Sequence, residues 1–262
     1  MITGTELMRR EENETTKFVH QSWKTADNVP KRYQKFVKNI SAMVKRHEKN
    51  MCHVLWTDVC NERLVKTHYP DFHTLYTGLY TPVQRADLCR CFYLHRYGGL
   101  YLDLDSVVSG DIDVFDDEAN RPSILVSRSD NIMVEAHRNN VMYSATKNHE
   151  FWLEYANNIK KAFEDKSTKF NKLLSNRLVG PFMQNLITIQ LTGPGMLDKT
   201  MLLHENKESL GTFNEDFPVK ESSDTKSSWN SPAADLTPVI ILGVMTTCIF
   251  LVVGILVGHF AI

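Results

Sequence analysis

The chain has 262 residues, of which 42% are hydrophobic, 10% aromatic and 23% charged. This length allows one large domain or two small ones, and the composition is that of an ordinary folded protein. The formal net charge is −1, so charge gives no reason to expect nucleic acid as a partner, nor a chain-wide attraction to an acidic membrane surface.

Short apolar runs predict strands, and apolar residues spaced three and four apart predict helices. In chain order we predict a strand at Lys17–His20, a helix at Arg32–Glu48, a strand at Met51–Trp56, a helix at Asn61–His68, a helix from Thr81 to about Tyr97, strands at Leu100–Leu104 and Ile124–Ser127, and helices at His149–Phe163, within Leu173–Leu191 and at Met196–Leu203. The alternation predicts an α/β protein with a mostly parallel sheet.

The most clearly marked helix begins after Thr81. Thr81 is a predicted N-cap, Pro82 occupies the first helical position, and Gln84 stands three residues after the cap. We expect the helix to run to about Tyr97 and to end at Gly98-Gly99. Apolar residues surround the helix on nearly all sides, so we expect it to be buried.

Two carboxylates follow this helix. Asp103 and Asp105 are two residues apart, so on a strand both side chains would point to the same face. Ligands of open α/β sheets bind at the carboxyl ends of strands, which is where this pair is predicted to lie. Two carboxylates form a hard oxygen site that suits Mg²⁺ or Mn²⁺, but such a triplet also occurs by chance at solvated strand ends.

The predicted buried helix carries Asp87 and Arg90 on one face. One interpretation is a surface ion pair of little energetic value. We favour a second one, because charges on a buried helix need partners. The acid would contact sugar hydroxyls, the guanidinium would contact a phosphate or hydroxyl, and a metal ion at Asp103 and Asp105 would neutralise a departing diphosphate.

The C-terminal segment differs from the rest of the chain. Val239–Phe260 contains no Asp, Glu, Lys or Arg and is long enough to cross a hydrocarbon core of about 30 Å. A buried core helix is the alternative, although core helices rarely run this long without a polar face. We predict a tail at 1–16, a linker at 221–238 that contains Trp229, and a transmembrane helix at 239–260. The protein would then be anchored, by one helix, in the Golgi or another endomembrane.

The string Val83–Asp105 resembles the central block of the DXD sugar-binding glycosyltransferases of family GT32, which include mannosyltransferases that act on inositol phosphorylceramide. Other strings resemble motifs of this family in the same order along the chain: Val19–Thr25, Leu55–Asp58, Tyr69–Phe72, Asn139–Ser144, His149–Trp152, Thr192–Pro194 and Ser227–Trp229. The resemblance covers about residues 17–235, and several motifs in order are more specific than any one of them.

This resemblance implies a GT-A-like nucleotide-sugar-binding fold over residues 17–220. It implies retaining transfer, for which no nucleophile can be named. Trp23 would stack on the nucleobase, Tyr101 and Asp103 would contact the ribose or sugar, and Trp229 would close over the donor. For both tryptophans, core packing is the alternative. The full set of donor-site residues implied is Gln21, Trp23, Asp87, Arg90, Tyr101, Asp103 and Trp229, with Asp105 and Asp103 as metal ligands.

The leading hypothesis is a membrane-anchored glycosyltransferase that uses Mn²⁺ or Mg²⁺ and moves mannose from GDP-mannose to a lipid, inositol phosphorylceramide. The hydrophobic tail and Ser227–Trp229 favour the lipid acceptor. One alternative is transfer to a protein-linked glycan. Another is a catalytically inert, tail-anchored binding protein of the same fold, against which the intact acidic and basic residues argue.

Overall fold

The computed structural model describes residues 1–10, 16–46, 50–110, 112–115, 121–128, 137–174 and 180–222. By their contacts the residues divide into two compact units, namely 1–167 with 188–225, and 168–187 with 226–262. The first unit contains the sheet and the candidate site. In the second unit, the described residues are the end of one helix and the start of the next.

Within the described residues the strands are β1 (Ile2–Thr3), β2 (Lys17–Ser22), β3 (Met51–Trp56), β4 (Gly99–Leu102), β5 (Ser106–Val108), β6 (Ile124–Arg128), β7 (His137–Ser144), β8 (Leu210–Thr212) and β9 (Val219–Glu221). The α-helices are α1 (Gly4–Leu7), α2 (Lys31–Arg46), α3 (Asp58–His68), α4 (His73–Gly78), α5 (Pro82–Tyr97), α6 (Glu150–Leu174), α7 (Gly180–Leu191) and α8 (Pro194–Leu203).

Seven of these strands form one sheet in the order β1-β3-β2-β4-β7-β6-β8. The pairs β1–β3, β2–β3, β2–β4 and β6–β8 are parallel, whereas β7 is antiparallel to both β4 and β6. The predicted α/β class with a mostly parallel sheet is therefore confirmed. Strands β5 and β9 form a separate antiparallel pair.

The two faces of the sheet are buried by different helices. Val19 and Leu100 point to one face, where they pack in a core cluster with Ile40 of α2. His20 follows Val19 in the strand and therefore points to the other face, where its ring lies 5.9 Å from that of Tyr93 in α5. Both faces are covered, as is usual where a sheet is largely parallel.

The predicted start and end of α5 are confirmed. The Thr81 hydroxyl accepts a hydrogen bond from the Gln84 amide at 3.2 Å, and Pro82 is the first helical residue. The helix ends at Gly98, whose φ is +64°. Its interior is as buried as expected, with Leu88 and Phe92 fully inaccessible to solvent.

The structure departs from the predictions at the N-terminus. Residues 1–16 were predicted to be a tail, but Ile2 and Thr3 pair with Val54 and Leu55 as an edge strand. Thr3 also caps α1 through a reciprocal bond with Glu6. A two-residue strand and a four-residue helix are too short to give a periodic apolar pattern, so the sequence carried little signal for them.

Strand β7 was also not predicted. Its first four residues are polar or charged (His137, Arg138, Asn139 and Asn140), and Asn is rare in strands. Hydrogen bonding to a strand on each side stabilises β7 in spite of this composition. This strand matters for the site, because Asn139 is one of its residues.

The predicted linker at 221–238 lies almost wholly, and the transmembrane helix at 239–260 entirely, outside the described residues. Across the part of the chain that the structure does describe, we find no helix with the length and apolar character needed to span a bilayer.

Candidate functional site

The site is built where α5 returns to the sheet through two glycines. Gly98 and Gly99 have φ values of +64° and +90°, which favour glycine, and a Cβ at Gly99 would lie 2.3 Å from the carbonyl oxygen of Phe18. The Gly98 carbonyl accepts a hydrogen bond from His20 Nε2 at 2.9 Å. The tautomer is set by Trp56, because its indole N–H can only donate and it bonds His20 Nδ1 at 3.1 Å.

The two carboxylates lie in a turn and not on a strand. We predicted a strand through Leu104, but β4 ends at Leu102 and the Ser106 amide donates to the Asp103 carbonyl at 3.0 Å. Strand alternation therefore does not determine where the two side chains point, and the prediction that it places both carboxylates on one face is wrong. The predicted location of Asp103 and Asp105 just beyond the carboxyl end of a strand is confirmed.

Arg90 connects Asp87 on α5 with Asp103 in the carboxylate turn. Its Nη2 atom lies 3.3 Å from Asp87 Oδ1 and 3.1 Å from Asp103 Oδ1. Its guanidinium carbon lies 4.7 Å from the centre of the Tyr101 ring, and the Tyr101 hydroxyl donates to Asp103 Oδ1 at 2.8 Å. Four predicted residues, Asp87, Arg90, Tyr101 and Asp103, thus form one connected group.

Two further residues, which in the sequence stand out only as members of the family-like motifs, complete this group. Asn139 donates to Asp87 Oδ1 at 3.1 Å, and its backbone carbonyl accepts from Arg90 Nη1 at 2.7 Å. The Thr192 hydroxyl donates to Asp87 Oδ2 at 3.0 Å. Asp87 is 4% exposed, so in this structure it holds Arg90 in place from within the core. The assignment of Asp87 to a sugar contact remains a prediction.

Burial and neighbouring charges shift the pKa values in this group. Burial lowers the pKa of Arg90, but the Asp103 and Asp87 carboxylates outweigh it, so this pKa is raised and the cation is permanent. Burial raises the pKa of Asp103 to about 6, with Arg90 opposing the shift and Asp105 adding to it. Asp103 therefore changes its charge within a mildly acidic pH range, unlike an ordinary carboxyl group.

Gln21 lies beneath the carboxylate turn and is fully buried. Its Nε2 donates to the Asp103 carbonyl at 3.2 Å, and its Oε1 lies 3.0 Å from His53 Nε2. His53 Nδ1 in turn lies 2.8 Å from the Ser41 hydroxyl of α2. The hydrogen bonds that link Ser41, His53, Gln21 and Asp103 fix the turn. Gln21 therefore positions the turn by bonding the backbone carbonyl of Asp103.

Trp23 follows the carboxyl end of β2 and is half-buried. Its indole N–H donates to the Asn28 carbonyl at 2.9 Å, and its ring lies 5.5 Å from that of Tyr33. The structure therefore places Trp23 at the same edge of the sheet as Asp103, and its contact with a nucleobase remains a prediction. Trp229 lies outside the described residues. Ser222, the last described residue, donates its backbone N–H to the Asp105 carbonyl at 3.1 Å.

The residues present fit a divalent metal ion of the Mg²⁺ type. Among the described residues no group of three or more His, Cys, Asp or Glu side chains could hold a metal. Mg²⁺, however, is usually bound by one or two carboxylates together with substrate phosphates and water. Asp103 and Asp105 supply such a pair of hard oxygen donors, and the remaining ligands would come from a diphosphate.

Comparison with known proteins gives a match over the same region. Residues 34–123 match the family described as a glycosyltransferase sugar-binding region containing a DXD motif. Over 89 residues the chain is 38% identical to inositol phosphoceramide mannosyltransferase 3 of Schizosaccharomyces pombe, a match that covers 34% of this chain and 24% of the relative. It is 36% identical over 89 residues to mannosyl phosphorylinositol ceramide synthase CSH1 of Saccharomyces cerevisiae, with coverage of 34% and 22%.

The matched segment spans about a quarter of the length of these curated relatives. Among solved structures, the PaToxG glycosyltransferase aligns with a TM-score of 0.48 and 13% identity, covering 71% of this chain and 69% of that one. The family match runs from within α2 to the residue before β6, and it includes Asp87, Arg90, Tyr101, Asp103 and Asp105. Residues 34–123 are therefore similar to a glycosyltransferase sugar-binding region containing a DXD motif, in agreement with the resemblance that the sequence motifs indicated.

Proposed function

We propose that this protein transfers a hexose from a nucleotide sugar, with GDP-mannose as donor and inositol phosphorylceramide as acceptor. The bond between the anomeric carbon and the diphosphate oxygen breaks, a bond from that carbon to the acceptor hydroxyl oxygen forms with retained configuration, and GDP leaves with the proton that the hydroxyl gives up. The observation that carries the proposal is the Arg90–Asp103 pair at 3.1 Å, within the matched sugar-binding region. The yeast relatives named above support mannose and a sphingolipid acceptor.

The chain's own residues account for donor binding. Arg90 pairs with Asp87 and stacks on Tyr101, so the orientation of its guanidinium group is fixed before a ligand binds. Its Nε atom is buried and has no hydrogen-bond partner within the described part of the chain, which leaves a donor group for an oxygen of the nucleotide sugar. Preorganised charge of this kind costs no rearrangement during the reaction.

Asp103 and Asp105 would hold Mn²⁺ or Mg²⁺. When bound, the ion supplies charge neutralisation for the diphosphate leaving group. Tyr101 and Gln21 keep the carboxylate turn in one conformation, through the Asp103 side chain and the Asp103 carbonyl respectively. A carboxylate position that is fixed in this way favours metal binding, because little has to be ordered on binding.

The C-terminal residues also have a role in the proposed function. Strand β9 pairs with β5 and brings Ser222 to Asp105. The last described residue therefore lies next to the carboxylate turn. Trp229 comes seven residues after Ser222 in the sequence. We propose that Trp229 covers the bound donor, that residues 239–260 anchor the protein in a Golgi or other endomembrane, and that the core has a GT-A-type fold.

The direct test is mannose transfer by the full chain in detergent micelles that contain inositol phosphorylceramide. With GDP-mannose and Mn²⁺ we expect a mannosylated lipid, detected by mass spectrometry. Asp105→Ala should reduce the rate on the order of a hundredfold or more, because it removes a ligand of the ion that stabilises the leaving group.

The matched control is Asp165→Ala, which removes an exposed carboxylate from α6 and should leave the rate unchanged. Full activity of Asp105→Ala would contradict the metal site. Transfer from another nucleotide sugar, or to a glycan and not to the lipid, would contradict the donor or the acceptor while leaving the class of reaction in place.

A further inference from the structure

Helix α2 carries a concentrated positive charge on its exposed side. Its apolar residues Tyr33, Phe36, Val37, Ile40, Met43 and Val44 are buried against the sheet. Its six basic residues are all exposed, and the helix contains no Asp or Glu. We call this set the α2 basic face: Lys31, Arg32, Lys35, Lys38, Lys45 and Arg46.

The net charge of the whole chain does not reveal the positive charge of this face. The net charge is −1 overall and +6 over α2, so the residues outside α2 carry −7. At about 100° per residue, the six basic side chains fall within an arc of roughly 140° that does not overlap the arc of the buried residues. The helix is about 24 Å long at 1.5 Å per residue, so the charges form a stripe along one side of the protein.

The helix dipole favours Lys45 and Arg46 in the last turn, but the N-terminal part of this arrangement is unfavourable for the isolated helix. Lys31 and Arg32 lie in the first turn, where the helix dipole disfavours positive charge. Lys31 and Lys35 are four residues apart and repel each other. Anionic groups along the stripe would counter both the unfavourable interaction with the helix dipole and the repulsion between lysines. The basic side chains themselves take no part in packing against the sheet.

From these observations we propose that the α2 basic face docks on the anionic headgroups of a lipid bilayer. Clusters of four to eight Lys and Arg on an amphipathic helix are typical of surfaces that bind anionic lipid. Because the apolar side of α2 is used in the core, the contact is electrostatic and does not insert into the bilayer. The preference for lipid over nucleic acid rests on the proposed function, since both the acceptor and the anchor are then in a membrane.

Docking would also orient the site. The first turn of α2 contains Tyr33, whose ring lies 5.5 Å from that of Trp23 at the carboxyl edge of the sheet. The positive stripe therefore begins beside the donor site. A bilayer in contact with it would keep that edge of the sheet near the headgroups, among which an anionic lipid acceptor is found.

The experiment measures lysine acetylation by mass spectrometry on the full chain reconstituted in vesicles. One set contains phosphatidylcholine alone and the other an equal mixture of phosphatidylcholine and phosphatidylserine. We expect acetylation of Lys35 and Lys38 to be slowed roughly fivefold or more in the anionic vesicles, and the effect to disappear at high salt. Lys66 of α3 is the internal reference, since it is exposed on a helix that is not part of the basic face and should react equally in both.

Two triple variants separate a local effect from a general one. Lys31→Gln with Lys38→Gln and Lys45→Gln should abolish the protection of Lys35. Lys66→Gln with Lys161→Gln and Lys199→Gln removes the same charge from exposed positions elsewhere and should preserve it. Equal rates in both vesicle types, equal slowing at Lys66, or protection of α2 by added RNA in place of anionic lipid would each overturn the proposal.

The readout does not depend on turnover. If the vesicle-bound protein shows the protection but transfers no sugar, the docking proposal stands and the proposed reaction fails. If it transfers sugar without the protection, the reaction stands and the docking proposal fails.

Discussion

At the scale of single residues, Arg90 holds the parts of the site together. It meets Asp87, Asp103, the Asn139 carbonyl and the Tyr101 ring, and it connects α5 with β4 and β7. Lysine would keep the charge but has no planar fork to serve several acceptors and stacks less well on an aromatic ring. The role of Arg90 is therefore specific to the guanidinium group.

We expect Arg90→Lys to lower the free energy of unfolding by about 2–4 kcal/mol, because buried carboxylates lose partners. Urea denaturation of the variant measures this loss. Arg63→Lys is the control, since Arg63 is exposed on α3 and the substitution there should change stability by less than about 0.5 kcal/mol. Similar stability of the two variants would show that the Arg90 network contributes little to the fold.

At the scale of secondary structure elements, the turn between α5 and β4 determines where the carboxylates lie. Gly99 packs directly against the backbone of β2, and His20 from β2 bonds Gly98. The turn thus sets the register of β4 beside β2, and through it the position of Asp103. No larger residue fits at Gly99, where a side chain would meet a backbone oxygen that cannot move away.

Gly99→Ala should therefore cost more than about 3 kcal/mol of stability or prevent folding, since it combines a positive φ with a backbone clash. Thermal or urea unfolding measures the effect. The matched change is Gly110→Ala, where a Cβ would meet only the Pro218 side chain at 3.5 Å, an ordinary contact. A Gly99→Ala protein as stable as Gly110→Ala would be inconsistent with the close approach of β4 and β2.

At the scale of the whole molecule, buried groups make opposite contributions to stability as the pH falls. Burial lowers the pKa of His20 to about 4 and that of His53 to about 3, so the unfolded chain takes up protons first and stability falls below pH 6.5. The pKa of Asp103 is raised to about 6, so the folded chain takes up that proton first and stability rises between pH 6 and 4. These effects partly cancel.

Replacing Asp103 should make the contribution of the histidines to the pH dependence of stability measurable. We expect the stability of Asp103→Asn to fall more steeply between pH 6.5 and 4 than that of the wild type, by at most about 3 kcal/mol, at about 1.4 kcal/mol per unit of pKa shift. Urea denaturation at a series of pH values measures both profiles. Adding His20→Gln to this variant should reduce its slope, whereas parallel profiles for wild type and Asp103→Asn would contradict the raised pKa.

Much of the local structure follows from the sequence by itself. The Thr81 cap, Pro82 and the glycine pair determine α5, because capping and positive φ depend on adjacent residues. The two carboxylates beyond a strand end, and the family motifs around them, are likewise properties of neighbouring residues. These local features were enough to predict the α/β class and the DXD sugar-binding region.

Only the tertiary structure decided how the charges are partnered. Asp87 is 52 residues from Asn139 and 105 residues from Thr192, and Gln21 is 82 residues from Asp103. No periodicity or spacing can predict such bonds, since they depend on strand order and helix packing. The same holds for the carboxylate turn: β4 ends at Leu102 and the Asp103 carbonyl is bonded by Ser106 and Gln21, although the sequence continues the strand pattern to Leu104.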